Sequence, residues 1–318
     1  MGNVVCKICG QEFETDKSLH LHIKKHKIRI VEYYQTYHPR YDLHSGNIIK
    51  FKNKDQYFST DFNSKTNLRL WLKEQPEEEA KSYLRNFLVK RIEKKHLVYS
   101  PTQVELRSLM AAPVQYYNQL FGNYYELCEN LGLQNKYKPF NEIVCGSEWS
   151  KSKYTIYIDT REQKPLKFTR PMQVKKLDYG DYAFGTETDL HDCYIERKSL
   201  ADFVGTLSGG FDRFSREVER SVDAGDYLIV LIESKMSNAT SFQFLRKSHD
   251  KSRVFKNVRA TPEYIMHNMR KIMQEYPRIQ FLFVDGRKEA ARVIEKIFTS
   301  GGIHKQIDLQ LAYDLGKL

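Results

Sequence analysis

Cysteine is scarce in this sequence. Cys6, Cys9, Cys128, Cys145 and Cys193 are five thiols among 318 residues. So odd and scattered a set argues against a disulfide-stapled secreted scaffold. It favours an intracellular, reducing compartment: bacterial cytoplasm or nucleoid, or a eukaryotic nucleus. No apolar run follows Met1, so no signal peptide is expected. No stretch approaches the ~20 apolar residues that a membrane helix needs, so no membrane partner is expected. No long internal repeat is present, which sets solenoid architectures aside. Acids are also in deficit: Asp+Glu number 40 against 51 Lys+Arg, a net charge of +11. That balance favours a polyanionic partner, because each neutralised phosphate releases counterions. Hydrophobic residues make up 41 % of the chain, enough for at least one sizeable core, and the length suits two or three domains.

The pattern divides the chain into a Cys/His unit (1–28), a Tyr-rich connecting region (29–75), a helical module (76–135), a polar linker (136–152), an α/β region (153–300) and a tail (301–318). Pro76 opens a helical stretch, with Glu77, Glu78 and Glu79 in a first turn whose dipole favours acids. Lys81, Arg85, Lys90, Arg91, Lys94 and Lys95 follow, a solvated face or one that tracks phosphates. From residue 153, β-rich runs appear at Tyr154–Ile158, Gln173–Leu177, Asp192–Ile195, Tyr227–Ile232 and Gln280–Val284. Amphipathic helical stretches near 211–223, 261–275 and 287–298 separate the later ones. Such alternation implies a sheet flanked by helices.

Cys6-x2-Cys9-x12-His22-x3-His26 resembles the two-cysteine, two-histidine zinc finger, a ββα unit. His22 and His26 fall four apart on one helical face, so four ligands can converge tetrahedrally on Zn²⁺. Phe13 and Leu19 would form the miniature core, and the metal would supply the folding energy. The resemblance puts Thr15, Ser18 and Leu21 at the positions that usually face bases. None is an Arg, Asn or Gln, so strong base readout is not expected. Lys17, Lys24, Lys25 and Lys27 are better placed for phosphates. A purely structural or protein-binding finger is the competing reading.

Residues 100–133 are similar to the repeats that accompany homing endonucleases and phage nucleases. The matching features are Pro101-Thr102, Leu106, Leu109, Pro113, Phe121-Gly122, Tyr125 and Leu131-Gly132-Leu133. They imply helix–turn–helix, with Thr102 as N-cap and Gly132 as terminator. Tyr116, Tyr117, Tyr124 and Tyr125 are either stacking surfaces for nucleic acid or the module's own core.

Acids, a lysine and strand ends gather between Asp159 and Asp202. Phosphodiester hydrolysis needs carboxylates around one or two hard cations, Mg²⁺ or Mn²⁺, and a nearby lysine can steady developing charge. The order Asp159-Thr160-Arg161-Glu162, Gly180-Asp181, Glu196-Arg197-Lys198-x3-Asp202 resembles the signature of XPF-type nucleases. Ser199-Leu200, Gly210-Phe211-Asp212-Arg213-Phe214 and Arg220 extend the match to about 150 residues. The resemblance implies a restriction-endonuclease-like mixed sheet flanked by helices, and a divalent-metal-dependent DNA endonuclease. Asp181 and Glu196 would be the principal Mg²⁺/Mn²⁺ ligands, with Asp159 and Glu162 as additional acids. Lys198 would be the catalytic lysine, Arg197 a supporting or phosphate-binding group, and Asp202 an outer group. Arg213 and Arg220, seven apart on one helical face, would contact the DNA backbone, as would Lys24, Lys25, Arg91 and Lys94.

Three departures stand out. Glu217 occupies a position where Gln is more usual. Residues 246–259 form a basic insertion with Asp250 its sole acid. No paired helix-hairpin-helix motif, the usual source of dimer contacts and branched-DNA binding, follows residue 300. The N-terminal units would then do the targeting, as in a phage or mobile-element enzyme of homing type. A nuclease for branched or flap DNA in repair or recombination, a homodimer, and a non-catalytic DNA-binding scaffold are the other readings considered.

Overall fold

The structure is a computed structural model that describes residues 4–39, 48, 50–59, 76–140, 154–240, 242 and 260–318. The basic insertion 246–259 and most of the expected linker lie outside the described residues. Two compact units are present, Met1–Gln75 and Pro76–Leu318.

In the first unit a two-residue hairpin, β1 (Val4–Val5) and β2 (Glu12–Phe13), precedes α1 (Asp16–Ile23). Thr15 caps α1, its hydroxyl accepting from Ser18 N at 3.1 Å. Among the described residues two further helices follow, α2 (Ile30–Tyr37) and α3 (Lys54–Ser59). The core exceeds the expected Phe13–Leu19 pair: Val31, Tyr33, Tyr34, Phe51 and Tyr57 pack with Cys6, Leu19 and Ile23. Part of the Tyr-rich region, read from sequence only as a connection, thus completes the interior of the first unit.

The second unit opens with α4 (Glu77–Lys95), which buries Ala80, Leu84 and Leu88, one stripe at spacing four. Three short helices follow, α5 (Gln103–Ser108), α6 (Val114–Phe121) and α7 (Tyr124–Asn130). Thr102 and Glu105 form a capping box on α5. The expectation of two helices misses α7, which Asn123 caps separately. Tyr117, Tyr124 and Tyr125 are buried, and the Tyr124 hydroxyl donates to Pro101 O at 2.6 Å. These three rings are core, not stacking platforms.

The sheet that follows is six-stranded and mixed, in the order β4-β3-β5-β6-β7-β8. Its strands are β3 (Thr155–Ile158), β4 (Met172–Val174), β5 (Tyr182–Gly185), β6 (Cys193–Lys198), β7 (Tyr227–Ile232) and β8 (Ile279–Phe283). β5 runs antiparallel to both β3 and β6, while β6, β7 and β8 are mutually parallel. The helices are α8 (Leu200–Thr206), α9 (Phe211–Asp223), α10 (Met236–Thr240), α11 (Pro262–Glu275), α12 (Arg287–Thr299) and α13 (Leu309–Asp314). β7 is apolar throughout because both its faces are covered. Leu228, Val230 and Ile232 join one core with α8, α9 and α11, and Ile229 and Leu231 join another with α12 and α13.

Two boundaries differ from expectation. Residues 136–140 are not linker: Tyr137 is buried and Lys138 N donates to Gln306 O. Residues 301–318 are not a loose tail: Ile307, Leu309, Leu311 and Leu318 are buried, most of them in the core that covers the sheet. Asp308 accepts from Gln103 N at 2.6 Å, and Asp314 pairs with Arg107 at 2.8 Å. The helical module and the sheet domain are therefore one folded body.

Candidate active site and candidate metal centre

β3 ends and β5 begins at the same edge of the sheet, because the two strands are antiparallel. Asp159 N donates to Asp181 O, and Asp181 N to Ile195 O, so Asp181 is held between β3 and β6. Gly180 precedes it at φ 71, and a Cβ there would lie 3.1 Å from Ile195 O. Glycine meets both the left-handed backbone and the close approach. Asp181 stands immediately before β5, a strand absent from the β-rich runs of the sequence.

On β6, Glu196 and Lys198 alternate with Arg197 and so project from opposite faces of the sheet. Lys198 Nζ binds Glu196 Oε1 at 2.7 Å and sits 5.4 Å from the centre of the Phe214 ring. The Arg197 amide donates to Asp181 Oδ2 at 2.7 Å. The Arg197 guanidinium bridges Glu162 at 2.8 Å and Glu233 at 3.0 Å. Burial works against that cation, but the two carboxylates hold it charged. Arg197 is thus a buttress, locking Glu162 beside the cleft.

Burial, and then the charge of Glu196, push Asp181 up to about 7. Burial also raises Glu196, opposed by Lys198 and reinforced by Glu217. The two desolvated carboxylates repel each other, and Lys198 offsets that charge from the Glu196 side. Such a pair, with an all-oxygen donor set, suits a hard divalent cation. Asp181 and Glu196 are the residues that could hold it.

Asp159 is placed differently from its expected role. It is 1 % exposed. One carboxylate oxygen accepts from Arg161 N and Nε at 2.9 and 2.5 Å, and the other from Leu177 N at 2.7 Å. Burial would raise its pKa, but these bonds outweigh it and hold the group lowered. Asp159 ties β3 to the segment after β4. Asp202 accepts from Ser199 Oγ at 2.6 Å in the cap of α8.

A cleft of about 620 Å³ contains Glu162, Asp181, Glu196, Arg197, Lys198, Asp202 and Arg213 among its walls. Asp159 is not among them. Arg213 is on this rim; Arg220 is exposed two turns further along α9. Glu217, noted in the sequence only as a departure, acts electrostatically on both Glu196 and Arg161, and Gly180 N donates to it at 3.4 Å. Glu233 went unremarked as a site residue because it lies just past β7, where only the fold brings it to Arg197.

In the first unit, Cys6, Cys9, His22 and His26 offer ligand atoms that all lie within 4.8 Å of one another. Cys9 Sγ is 3.1 Å from His22 Nε2, Cys6 Sγ is 3.6 Å from His26 Nε2, and the two Nε2 atoms are 2.9 Å apart. Tetrahedral Zn²⁺ with its usual bond lengths has ligand–ligand edges of roughly 3–4 Å. The donor set therefore fits zinc. Lys24 and Lys25 lie in the short 3₁₀ turn after α1 and are both exposed. Lys94 is exposed, whereas Arg91 is half-buried. Among the described residues no helix is long and apolar enough to cross a membrane.

Residues 158–297 match the ERCC4 domain family. Among solved structures, XPF from Aeropyrum pernix is similar at 20 % identity over 45 % of this chain and 59 % of that one, with a TM-score of 0.33. XPF from Aeropyrum pernix in complex with DNA is similar at 19 % identity over 45 % and 62 % of the two chains, with a TM-score of 0.32. The chain thus spans about three fifths of the solved chains it resembles. No curated protein matches it. Residues 158–297 are an ERCC4 domain, the DNA nuclease domain of the XPF type.

Proposed function

We propose that the protein is a divalent-metal-dependent DNA endonuclease that hydrolyses phosphodiester bonds in the cleft of Asp181, Glu196 and Lys198. The observation that carries this reading is the buried carboxylate pair, with Asp181 raised to about 7 by burial and by the charge of Glu196. Mg²⁺ or Mn²⁺, when bound, would polarise the phosphate and activate a water. The chain's own groups do the rest. Asp181 and Glu196 hold the cation, and Glu162 stays beside it because Arg197 fixes it. Lys198, held between Phe214 and Glu196, is placed to steady charge on the reacting phosphate. Arg213 at the rim meets the DNA backbone.

Zn²⁺ in the Cys6, Cys9, His22 and His26 quartet would fold the first unit, and Lys24 and Lys25 would give it backbone contact with DNA. With the helical module it would direct the nuclease to its site, as in an enzyme of phage or homing type. A second reading, cleavage of branched or flap DNA, is favoured by the ERCC4 match itself. A non-catalytic scaffold is disfavoured by the intact Asp181, Glu196 and Lys198.

The test is incubation of the purified chain with duplex, single-stranded, flap and four-way DNA in Mg²⁺ or Mn²⁺. Cleavage of plain duplex at preferred positions supports the targeted enzyme, and cleavage confined to junctions supports the second reading. Cleavage that persists undiminished in EDTA contradicts the metal site.

A further inference from the structure

A cavity of about 840 Å³ lies along α12, outside the cleft of the carboxylates. One wall is the segment 165–169, with Leu166 and Lys167. The other is α12, with Arg287, Lys288, Arg292 and Lys296. Glu295 is the acid in this lining, and Thr169 engages both its oxygens, through N at 3.1 Å and through Oγ1. Arg292 is paired with Glu289 at 2.5 Å. Lys167, Lys288 and Lys296 are exposed and pair with no carboxylate among the described residues. Lys288, Arg292 and Lys296 are four apart, so they form one row along α12 that rises about 6 Å at each step.

The cavity begins where the cleft ends. Lys164 lines the cleft and Pro165, the next residue, lines the cavity. Arg287 donates to the carbonyls of both, to Pro165 O at 2.9 Å. On its other side it meets Glu233 at 3.6 Å, which in turn holds Arg197 of the cleft at 3.0 Å. β6, β7 and β8 are parallel and reach the catalytic edge together. α12 therefore starts at that edge and runs back along the sheet to Phe298, whose ring stacks on Phe184. The row of cations leads away from the cleft.

We propose that this groove binds the sugar–phosphate backbone of an unpaired DNA strand that continues from the nuclease cleft, with Lys167, Lys288 and Lys296 as its phosphate contacts. The ligand is polyanionic, because three cations from both walls face it without a carboxylate partner. It is narrow, because one helix and a five-residue segment enclose it. A few nucleotides of one strand fit about 840 Å³, and a duplex does not. None of the lining residues is aromatic, so bases are not stacked and the contact is independent of sequence. The continuity with the cleft favours a strand over an acidic peptide. That the strand is the one being cut rests on the nuclease reading; the basic groove itself does not.

The test is fluorescence anisotropy on the zinc-loaded full chain without Mg²⁺ or Mn²⁺. The probes are a blunt duplex and the same duplex with a short oligothymidine tail on each strand of one end. The wild type should bind the tailed duplex more tightly. Lys167→Gln, Lys288→Gln and Lys296→Gln, combined, should lower the slope of log affinity against log salt for the tailed duplex by about 2, three single-strand phosphates at about 0.7 each. The slope for the blunt duplex should not change. If the triple variant melts lower, Lys167→Gln with Lys288→Gln carries the test with a fall of about 1.4. Equal affinity of the wild type for the two DNAs, or an unchanged slope on the tailed one, overturns the groove. An equal fall on both DNAs also overturns it, because it sets the lysines against paired DNA. So does a variant that keeps its DNA slopes but loses binding to polyglutamate, which assigns the groove to an acidic protein. These readouts record binding, so a protein that cuts no DNA leaves the groove standing. A protein that cuts DNA while the variant keeps the full slope overturns this inference alone.

Discussion

The two candidate metal centres are built in opposite ways. In the first unit four candidate ligands come from a hairpin, α1 and the 3₁₀ turn after it, around a small core of Leu19, Ile23 and a few tyrosines. A soft, closed quartet of that kind is where metal binding and folding become the same event. In the second unit the fold comes first. Six strands and the helices over both faces set Asp181 and Glu196 side by side, and the pair is held there against its own repulsion. One centre would use a metal to make a structure; the other would use a structure to make a metal site. The difference appears in the direction of the perturbation. Asp181 is pushed up by burial and by the charge of Glu196, whereas Asp159, joined to it by a backbone hydrogen bond, is lowered against burial by Arg161 and the Leu177 amide.

The contrast can be broken most sharply at the carboxylate pair. Asp181→Asn or Glu196→Gln should lower the nicking rate by about 100-fold or more. Duplex affinity should stay near wild type, since it comes mainly from Lys and Arg on phosphates. Nicking rates and gel shifts on the same DNA report both.

Truncation comes next. Removing residues 1–75 should leave a folded 76–318 body that retains cleavage but loses targeting. Removing 1–135 should leave a protein without a cooperative melt, because Asp308 and Asp314 lose Gln103 and Arg107, and Arg270 and Gln274 of α11 lose Ser108 and Glu105. Circular dichroism melts of the two fragments make the comparison. If the shorter one melts as sharply as the longer one, the helical module is a separable domain after all.

Zinc removal sharpens the contrast from the other side. Cys9→Ser, or a zinc-selective chelator, should unfold the first unit while the melt of the 76–318 body is unchanged. Loss of proteolytic resistance confined to the N-terminus is the expected result.

The smallest effect is a pH dependence. The folded-state pKa of Asp181 is raised from 3.8 to about 7. Its contribution to stability in metal-free protein is therefore present below about pH 4 and lost as pH rises through about 7. The melt of the 76–318 body should fall between pH 5 and pH 8 without a divalent ion. Mg²⁺ should restore more stability at pH 8 than at pH 5, because the carboxylate must be deprotonated to bind. Asp181→Asn should flatten both trends.

Much of this was legible in the sequence because the signals were local. The strand β7 and the three long helices of the sheet domain follow from apolar runs and periodicity. The Cys/His quartet and the order of acids follow from spacing. What was not legible depends on distant partners. Asp159 reads as one more acid until Leu177, eighteen residues on, is found donating to it. Tyr117 and Tyr124 read equally as stacking surfaces or core until the packing buries them. The segment 301–318 reads as a tail because its buried residues are short runs whose partners, Gln103 and Arg107, lie about 200 positions away. β5 is four residues long and follows a glycine and an acid, too short to leave a period of its own.

The central claim is that Asp181 and Glu196 form the binding site for the catalytic divalent cation. Calorimetric titration of Mn²⁺ into the zinc-loaded full chain at pH 8 tests it most directly, with Asp181→Asn and Glu196→Gln alongside, both shown to be folded. The account predicts saturable binding to the wild type that is lost or weakened at least tenfold in each variant, and kept in Asp159→Asn. Equal Mn²⁺ binding by the wild type and both variants, or loss in Asp159→Asn alone, would contradict it.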